Sequence, residues 1–107
     1  MSPITTHVLD TAHGRPASGV PVTLEYQSED IWTGIGRGTT GDDGRVHDLV
    51  PAGISLRPGN YRITFTTAAY SSFFPSIEVN FAIEDAGAHY HIPLLLSPFG
   101  YSTYRGS

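Results

Sequence analysis

The chain predicts an all-β sandwich of about eight short strands and one short helix. Three observations support this. Twelve glycines and eight prolines punctuate the 107 residues. The segments between them are rich in Val, Ile, Thr, Tyr and Phe, which suit a pleated, half-buried surface. Several of these segments alternate apolar and polar residues at the two-residue period of a strand with one buried face.

The first strand runs from about Ile4 to Asp10 and ends at Ala12-His13-Gly14-Arg15-Pro16. In the second, about Val20 to Tyr26, the residues Val20, Val22, Leu24 and Tyr26 share a face opposite Pro21, Thr23 and Glu25. Pro21 lacks a ladder donor and so suggests an edge strand or a bulge. A third strand, about Ile31 to Thr40, leads into Asp42-Asp43-Gly44, a turn signal, and a short strand from Arg45 to His47 follows.

In the second half, Tyr61, Ile63 and Phe65 alternate with Arg62, Thr64 and Thr66, and Ile77, Val79, Phe81 and Ile83 alternate with Glu78, Asn80 and Ala82. Between them, Thr67 to Phe73 carries alanines behind a Thr cap and predicts the helix, with Pro75 as its stop. The last two strands, about His89 to Leu96 and Phe99 to Tyr104, predict a hairpin around Ser97-Pro98. Tyr90, Ile92, Leu94 and Leu96 form its apolar face, which turns His89, His91 and Pro93 outward, with Leu95 beyond them. His7 likewise has the parity opposite to Ile4 and Val8, so the histidines are expected to point away from the core.

A chain of this length makes one domain, residues 1–107. Its 39% hydrophobic and 15% charged content is that of a globular protein. The formal charge of −4, with no basic patch, argues against nucleic acid as a partner. Cysteine is absent, which excludes disulfides, thiolate metal sites and Cys nucleophiles. All six cations are arginine, so Schiff-base lysines, Ser–Lys dyads and the phosphate-loop lysine are excluded as well. No apolar run reaches the ~18 residues of a membrane span. Met1-Ser2-Pro3-Ile4 shows no signal peptide, and the ending is not Ser-Lys-Leu, so the cytoplasm is the expected location.

The chemistry-bearing residues are few. His89-x-His91 sets two imidazoles on one strand face about 6.5–7 Å apart, a spacing that metal sites use. His7, His13 or His47 would have to supply a third ligand, and no further spaced ligand motif supports that zinc reading. His7 is either an exposed strand residue or an acid–base group, since an imidazole titrates near neutrality. Arg45 is either a solvated turn residue or a planar fork for an anionic, carbonyl-rich ligand. No G-x-S-x-G elbow supports a serine nucleophile. Gly34-Ile35-Gly36-Arg37-Gly38 fits neither dinucleotide nor phosphate-loop spacing. The tail Tyr101-Ser102-Thr103-Tyr104-Arg105-Gly106-Ser107 follows the apolar run Ile92-Pro93-Leu94-Leu95-Leu96 too closely for a disordered end. It is expected to lie in the folded body and to belong to a site.

Together, Thr6-His7-Val8-Leu9-Asp10, Gly14-Arg15-Pro16-Ala17, Asp43-Gly44-Arg45, Phe73-Phe74-Pro75, His89 to Pro98 and Tyr101 to Ser107 resemble the transthyretin-like 5-hydroxyisourate hydrolases. The resemblance runs the length of the chain in order, and the terminal Tyr-Arg-Gly-Ser is its most specific part. It implies a two-sheet sandwich assembled as a homotetramer, a dimer of dimers, with sites at subunit interfaces. It also implies opening of the six-membered ring of 5-hydroxyisourate, giving 2-oxo-4-hydroxy-4-carboxy-5-ureidoimidazoline in urate breakdown. By resemblance the catalytic residues are His7, His91 and Arg45, and His7, Arg45, Tyr104 and Ser107 bind substrate. His89, Tyr101, Arg105 and Gly106 would support that site from behind. No metal and no cofactor are expected. His13 stands where the family often has a charged residue such as Arg, and Gly34 to Gly38 is a glycine-rich version of a variable stretch. The alternative within the fold is a small-molecule carrier like transthyretin proper, which lacks these histidines, this arginine and this ending.

Overall fold

A computed structural model describes residues 2–106, and the strands among them are nine: β1 (Ile4–Asp10), β2 (Arg15–Pro16), β3 (Pro21–Ser28), β4 (Ile31–Thr39), β5 (Arg45–Val46), β6 (Gly59–Thr66), β7 (Ser76–Ile83), β8 (Tyr90–Ser97) and β9 (Gly100–Thr103). They form two sheets. One has the order β2-β1-β8-β9, with β5 also paired to β1, and the other has the order β4-β3-β6-β7. β1 and β8 run parallel, and the other pairings are antiparallel. The inward faces close on one core in which Ile4, Val8, Leu24, Ile63, Phe65 and Leu94 are fully buried.

The alternation expected of the strands is observed. In β1 every even residue is buried and every odd one is half-buried, as the two-residue period requires. In β8, Tyr90, Ile92, Leu94 and Leu96 face the core. Pro93 is buried too, on the other face, because the end of the chain folds over it. Thr103 Oγ1 donates to the Pro93 carbonyl at 2.7 Å, and Gly106 N donates to the His91 carbonyl at 2.8 Å. Between those two bonds the ladder needs no N–H from Pro93, so proline is tolerated there.

Three expectations are corrected. The helix over Thr67 to Phe73 does not form; a single turn stands there, with Tyr70 N and Ser71 N both donating to the Thr67 carbonyl at 2.9 Å. Side chains take the place of the next helical bonds: Phe74 N donates to Ser71 Oγ at 3.0 Å, and Thr67 Oγ1 donates to the Phe74 carbonyl. A run this short also gives little return for the cost of helix nucleation. Pro21, expected at an edge or a bulge, opens an interior strand, where a first residue need not donate. The bulge falls instead at Leu24/Glu25, leaving Ile35 of β4 without a partner. Finally, Arg15-Pro16, expected only to end the first strand, pairs with Leu9 and Asp10 as β2.

The glycine run in β4 now has a packing reason. Gly36 and Gly38 lie opposite Leu24 and Val22, on the core face. A Cβ on Gly36 would fall 1.8 Å from the Leu49 carbonyl oxygen, and one on Gly38 would fall 2.6 Å from Val46 Cγ1. The missing side chains let β5 and the chain after it close that end of the sandwich. Gly36→Ala must push the Leu49 backbone away, at a cost of about 1–3 kcal/mol. The expected result is a fall in melting temperature of roughly 5–15 °C, and a differential scan of the purified variant checks it.

Candidate active site

The candidate site lies on the outward face of β1, β5 and β8, and pairing register builds it. Thr5 stands opposite His91 across the parallel β1–β8 pair. His7 stands opposite Pro93 on one side and Arg45 on the other. Neighbouring rungs of one sheet face therefore carry a hydroxyl, two imidazoles and a guanidinium. An open hollow of about 560 Å³ is lined by Thr5, Thr6, Arg45, Val46, His47, Asp48, His89 and His91. A slightly larger hollow, about 630 Å³, lies along the β3–β4 bulge. Its carboxylate, Glu25, is bound by Arg62 Nε and Nη2, each 2.9 Å from the same oxygen. That leaves no free acid–base pair there, so the chemistry belongs to the first hollow.

Arg45 is set by the turn before it. Gly44 closes the turn by donating to the Gly41 carbonyl at 2.9 Å, with a φ of 76° that L side chains rarely adopt. Its own carbonyl accepts from Val8 N at 2.8 Å, tying the turn to the edge of β1. A Cβ on Gly44 would meet the Val8 carbonyl oxygen at 2.5 Å and His7 Cδ2 at 3.2 Å. The Asp43 carboxylate accepts from the Arg45 backbone N–H at 3.0 Å, and its other oxygen lies 3.1 Å from His47 Nε2. Those bonds, led by the Arg45 N–H, hold the Asp43 carboxyl below its usual range.

His91 is fixed on three sides. Its Nδ1 is 2.8 Å from Thr5 Oγ1, and its carbonyl accepts from Gly106 N. The third contact is Gly106 itself, whose Cβ, were there one, would lie 2.7 Å from His91 Cδ2. Only glycine brings the end of the chain this close to the ring. Burial, and then the nearby charge of Arg45, with His7 and His89 adding less, lowers the His91 pKa. The imidazole is therefore neutral at physiological pH, the state a general base needs.

His7 sits beside these groups but does not line the hollow. Its Nε2 is buried and meets no hydrogen-bond partner among the described residues. A polar atom so placed costs about 1–3 kcal/mol unless something engages it. His89 is exposed and lines the hollow, with Nε2 3.3 Å from Thr5 Oγ1. The end of the chain is divided. Gly106 lies under His91, whereas Tyr101 packs edge-on against Phe74 at 5.2 Å. Tyr104 and Arg105 line a separate hollow with Val79 and Phe81 of β7, and the Arg105 guanidinium stands 4.5 Å over the Tyr90 ring. Ser107 lies outside the described residues.

His13 is held away from the site by the largely buried Asp10, 2.8 Å from its Nδ1. Burial pushes the Asp10 carboxyl up, but the bonds from His13 outweigh it and the net shift is downward. Among the described residues, no group of three or more His, Asp or Glu side chains is placed to hold a metal ion. Two residues of the site carry weaker sequence signals than the histidines: Thr5 shares the parity of His7, and Asp43 occupies a turn position that favours Asx bonding.

A two-sheet sandwich with acid–base groups and a guanidinium on one outer sheet face defines a protein of the transthyretin fold equipped for polar chemistry. The chain belongs to the HIUase/Transthyretin family, whose model matches residues 4–106. A probable 5-hydroxyisourate hydrolase of Caenorhabditis elegans is 50% identical over 110 residues, which cover 97% of this chain and 81% of that protein. The solved 5-hydroxyisourate hydrolase of Klebsiella pneumoniae superposes with a TM-score of 0.80 at 35% identity, covering 97% of this chain and 98% of that one. Sea bream transthyretin, solved in complex with thyroxine, superposes with a TM-score of 0.89 at 34% identity, covering 98% of this chain and 95% of that one. The fold is thus shared by a hydrolase and a transthyretin solved with thyroxine, and backbone likeness does not separate them.

Proposed function

We propose that this chain hydrolyses 5-hydroxyisourate, with His91 as the base that takes a proton from an attacking water. The observation that carries the reading is the His91 imidazole, held by Thr5 on the same outward face as the Arg45 guanidinium. Water adds to the C6 ring carbonyl as His91 Nε2 accepts its proton, the ring C–N bond breaks, and the proton returns to the departing nitrogen. Arg45 binds the carbonyl-rich edge and stabilises the oxyanion as it develops. His7 shares in orienting the water, which gives its Nε2, without a partner among the described residues, something to engage; a small side-chain movement must first open it. The ring carbonyl is already activated, so no step calls for a metal or a cofactor.

The site is open on one side, and excluding bulk water beyond the reacting molecule would strengthen its electrostatics. A homotetramer, arranged as a dimer of dimers, would cover it by setting this face against a second copy. Tyr104 stands outside the hollow of its own subunit, so contact between Tyr104 and the substrate requires that second copy. Sedimentation combined with assays on dilution tests this: activity is expected to fall as the assembly dissociates, and a fully active monomer would contradict it. The cytoplasm is the proposed compartment, to be tested by cell fractionation. No helix among the described residues is long and apolar enough to cross a membrane.

The first experiment generates 5-hydroxyisourate in place with urate oxidase and follows its absorbance with and without the chain and EDTA. Faster decay, indifferent to EDTA, is the expected result. No acceleration by the folded chain would bring forward the carrier reading. The pH dependence follows from His91. Its lowered pKa keeps the base neutral below the ordinary histidine value of about 6.5. The acid limb of kcat/KM should therefore fall away only below that pH, as the ring takes up its proton. An acid limb at or above the ordinary value would separate His91 from the rate.

A further inference from the structure

The geometry points to Thr5 as a positioning residue whose hydroxyl links His91 to His89 and so fixes which nitrogen of His91 is free to act. The inference deepens the hydrolase reading and rests on it for its kinetic consequence. Thr5 Oγ1 lies 2.8 Å from His91 Nδ1 and 3.3 Å from His89 Nε2. This is an unusual use of a threonine in this protein. The hydroxyls of Thr6, Thr11, Thr40, Thr67 and Thr103 all donate to backbone carbonyls. Thr5 alone among these threonines meets two imidazoles. Register places it there, because Thr5 and His91 are direct partners across β1 and β8. Its branched Cβ also restricts χ1, so the hydroxyl is held where the register puts it.

Proton counting assigns the bonds. A neutral imidazole has one N–H and one acceptor nitrogen, and a hydroxyl has one proton to give. For Nε2 of His91 to accept a proton from water, its proton must sit on Nδ1, where it donates to Thr5 Oγ1. The Thr5 O–H is then free to donate to His89 Nε2, and His89 keeps its own proton on Nδ1. The line reads His91 Nδ1–H to Thr5 Oγ1, then Thr5 O–H to His89 Nε2. When His91 takes the proton from water, its Nδ1–H bond becomes charge-assisted and strengthens.

The orienting group differs from the carboxylate of a serine-protease triad in a useful way. A carboxylate would raise the His91 pKa strongly, whereas a neutral hydroxyl aims the ring with a weaker upward pull, and Thr5 does not reverse the net lowering by burial and Arg45. The charged and titratable groups facing His91 are Arg45 of β5, His7 of β1 and His89 beside it, with His47 and Asp48 also lining the hollow. None of them supplies an acceptor for Nδ1 among the described hydrogen bonds, which leaves that task to Thr5.

The test compares the wild-type chain with Thr5→Val, which keeps the shape and loses the hydroxyl, and Thr5→Ser, which keeps the hydroxyl. Long-range proton–nitrogen correlation spectra of the ligand-free, nitrogen-15-labelled chain report the tautomer of His91 directly. Wild type and Thr5→Ser should carry the proton on Nδ1, and Thr5→Val should shift it toward Nε2, the site a free imidazole prefers. In the hydrolysis assay Thr5→Val should lose about 10–100-fold in kcat, the cost typical of removing a partner that orients a metal-bound imidazole. KM should move less, and Thr5→Ser should recover most of the rate. A wild-type His91 protonated on Nε2 would overturn the inference, as would a Thr5→Val chain with unchanged kcat and tautomer. If the wild-type chain does not accelerate decay at all, the hydrolase reading fails, and the spectra still decide whether Thr5 sets the tautomer.

Discussion

His91→Asn is expected to lower kcat by about 10²–10⁴-fold, the range that separates a reaction with a positioned general base from one without, while the sandwich stays folded. The two effects separate because of where the residue sits. His91 is half-buried on the outward face of β8, and the core contacts of that strand belong to Tyr90, Ile92, Leu94 and Leu96. An asparagine amide can still bond Thr5 Oγ1, and the carbonyl of residue 91 can still accept from Gly106 N. What is lost is a nitrogen able to take a proton near neutral pH. Steady-state rates beside a thermal melt make the check. A melt within a few degrees of wild type, with turnover lower by two orders of magnitude or more, is the expected pair of results. Near-wild-type turnover would remove His91 from the mechanism and leave its contacts with Thr5 and Gly106 as packing.

Arg45→Lys is expected to cost about 10²–10³ in kcat, comparable to removing one donor from an oxyanion site. The substitution keeps the charge, so Coulomb attraction alone predicts little change. A planar fork can hold two oxygens at fixed spacing, and an ammonium cannot. The turn should be indifferent, because Asp43 binds the backbone N–H of residue 45 and Gly44 makes the tight contact with β1. The pH profile provides an internal control. The acid limb should stay in place in Arg45→Lys, since the positive charge that depresses the His91 pKa remains. It should rise toward the ordinary histidine value in Arg45→Gln, where that charge is gone. Wild-type kcat in Arg45→Lys would show that charge, not the fork, is what the reaction uses.

Much of the fold was legible because strand parity is a local property. The alternation over Ile4 to Asp10 and over about His89 to Leu96 puts His7 and His91 on outward faces, and β1 and β8 are built that way, with β8 starting one residue later at Tyr90. The structure departs from the helix predicted over Thr67 to Phe73 for a physical reason. Propensity favoured it, but hydroxyls of Thr67 and Ser71 bond Phe74, whose position a window of residues does not reveal. The glycines of β4 were equally opaque. Their role depends on Leu49 and Val46, which reach them only after the chain has turned back. Tyr104 and Gly106 belong to one terminal motif in the sequence, yet one stands by β7 and the other under His91. Side chains two residues apart along a strand share a face, but this segment leaves the ladder at Thr103, and parity stops applying there.

The sequence by itself determined the chemistry available to this protein: imidazoles and a guanidinium, no thiol and no lysine, on strands whose alternation turns His7 and His91 outward. It also carried the family likeness from end to end. Only the tertiary structure decided which of those groups meet. Thr5 reaches His91 because β1 and β8 pair in parallel in one particular register, and a slip of one residue would turn every side chain of a strand to the other face. His13 is drawn away by Asp10, His47 is tied to Asp43, and Arg45 is brought beside His7 by a glycine turn pressed against β1. Residue types and spacing are written along the chain, but distances between residues more than eighty positions apart are set only when two strands pair.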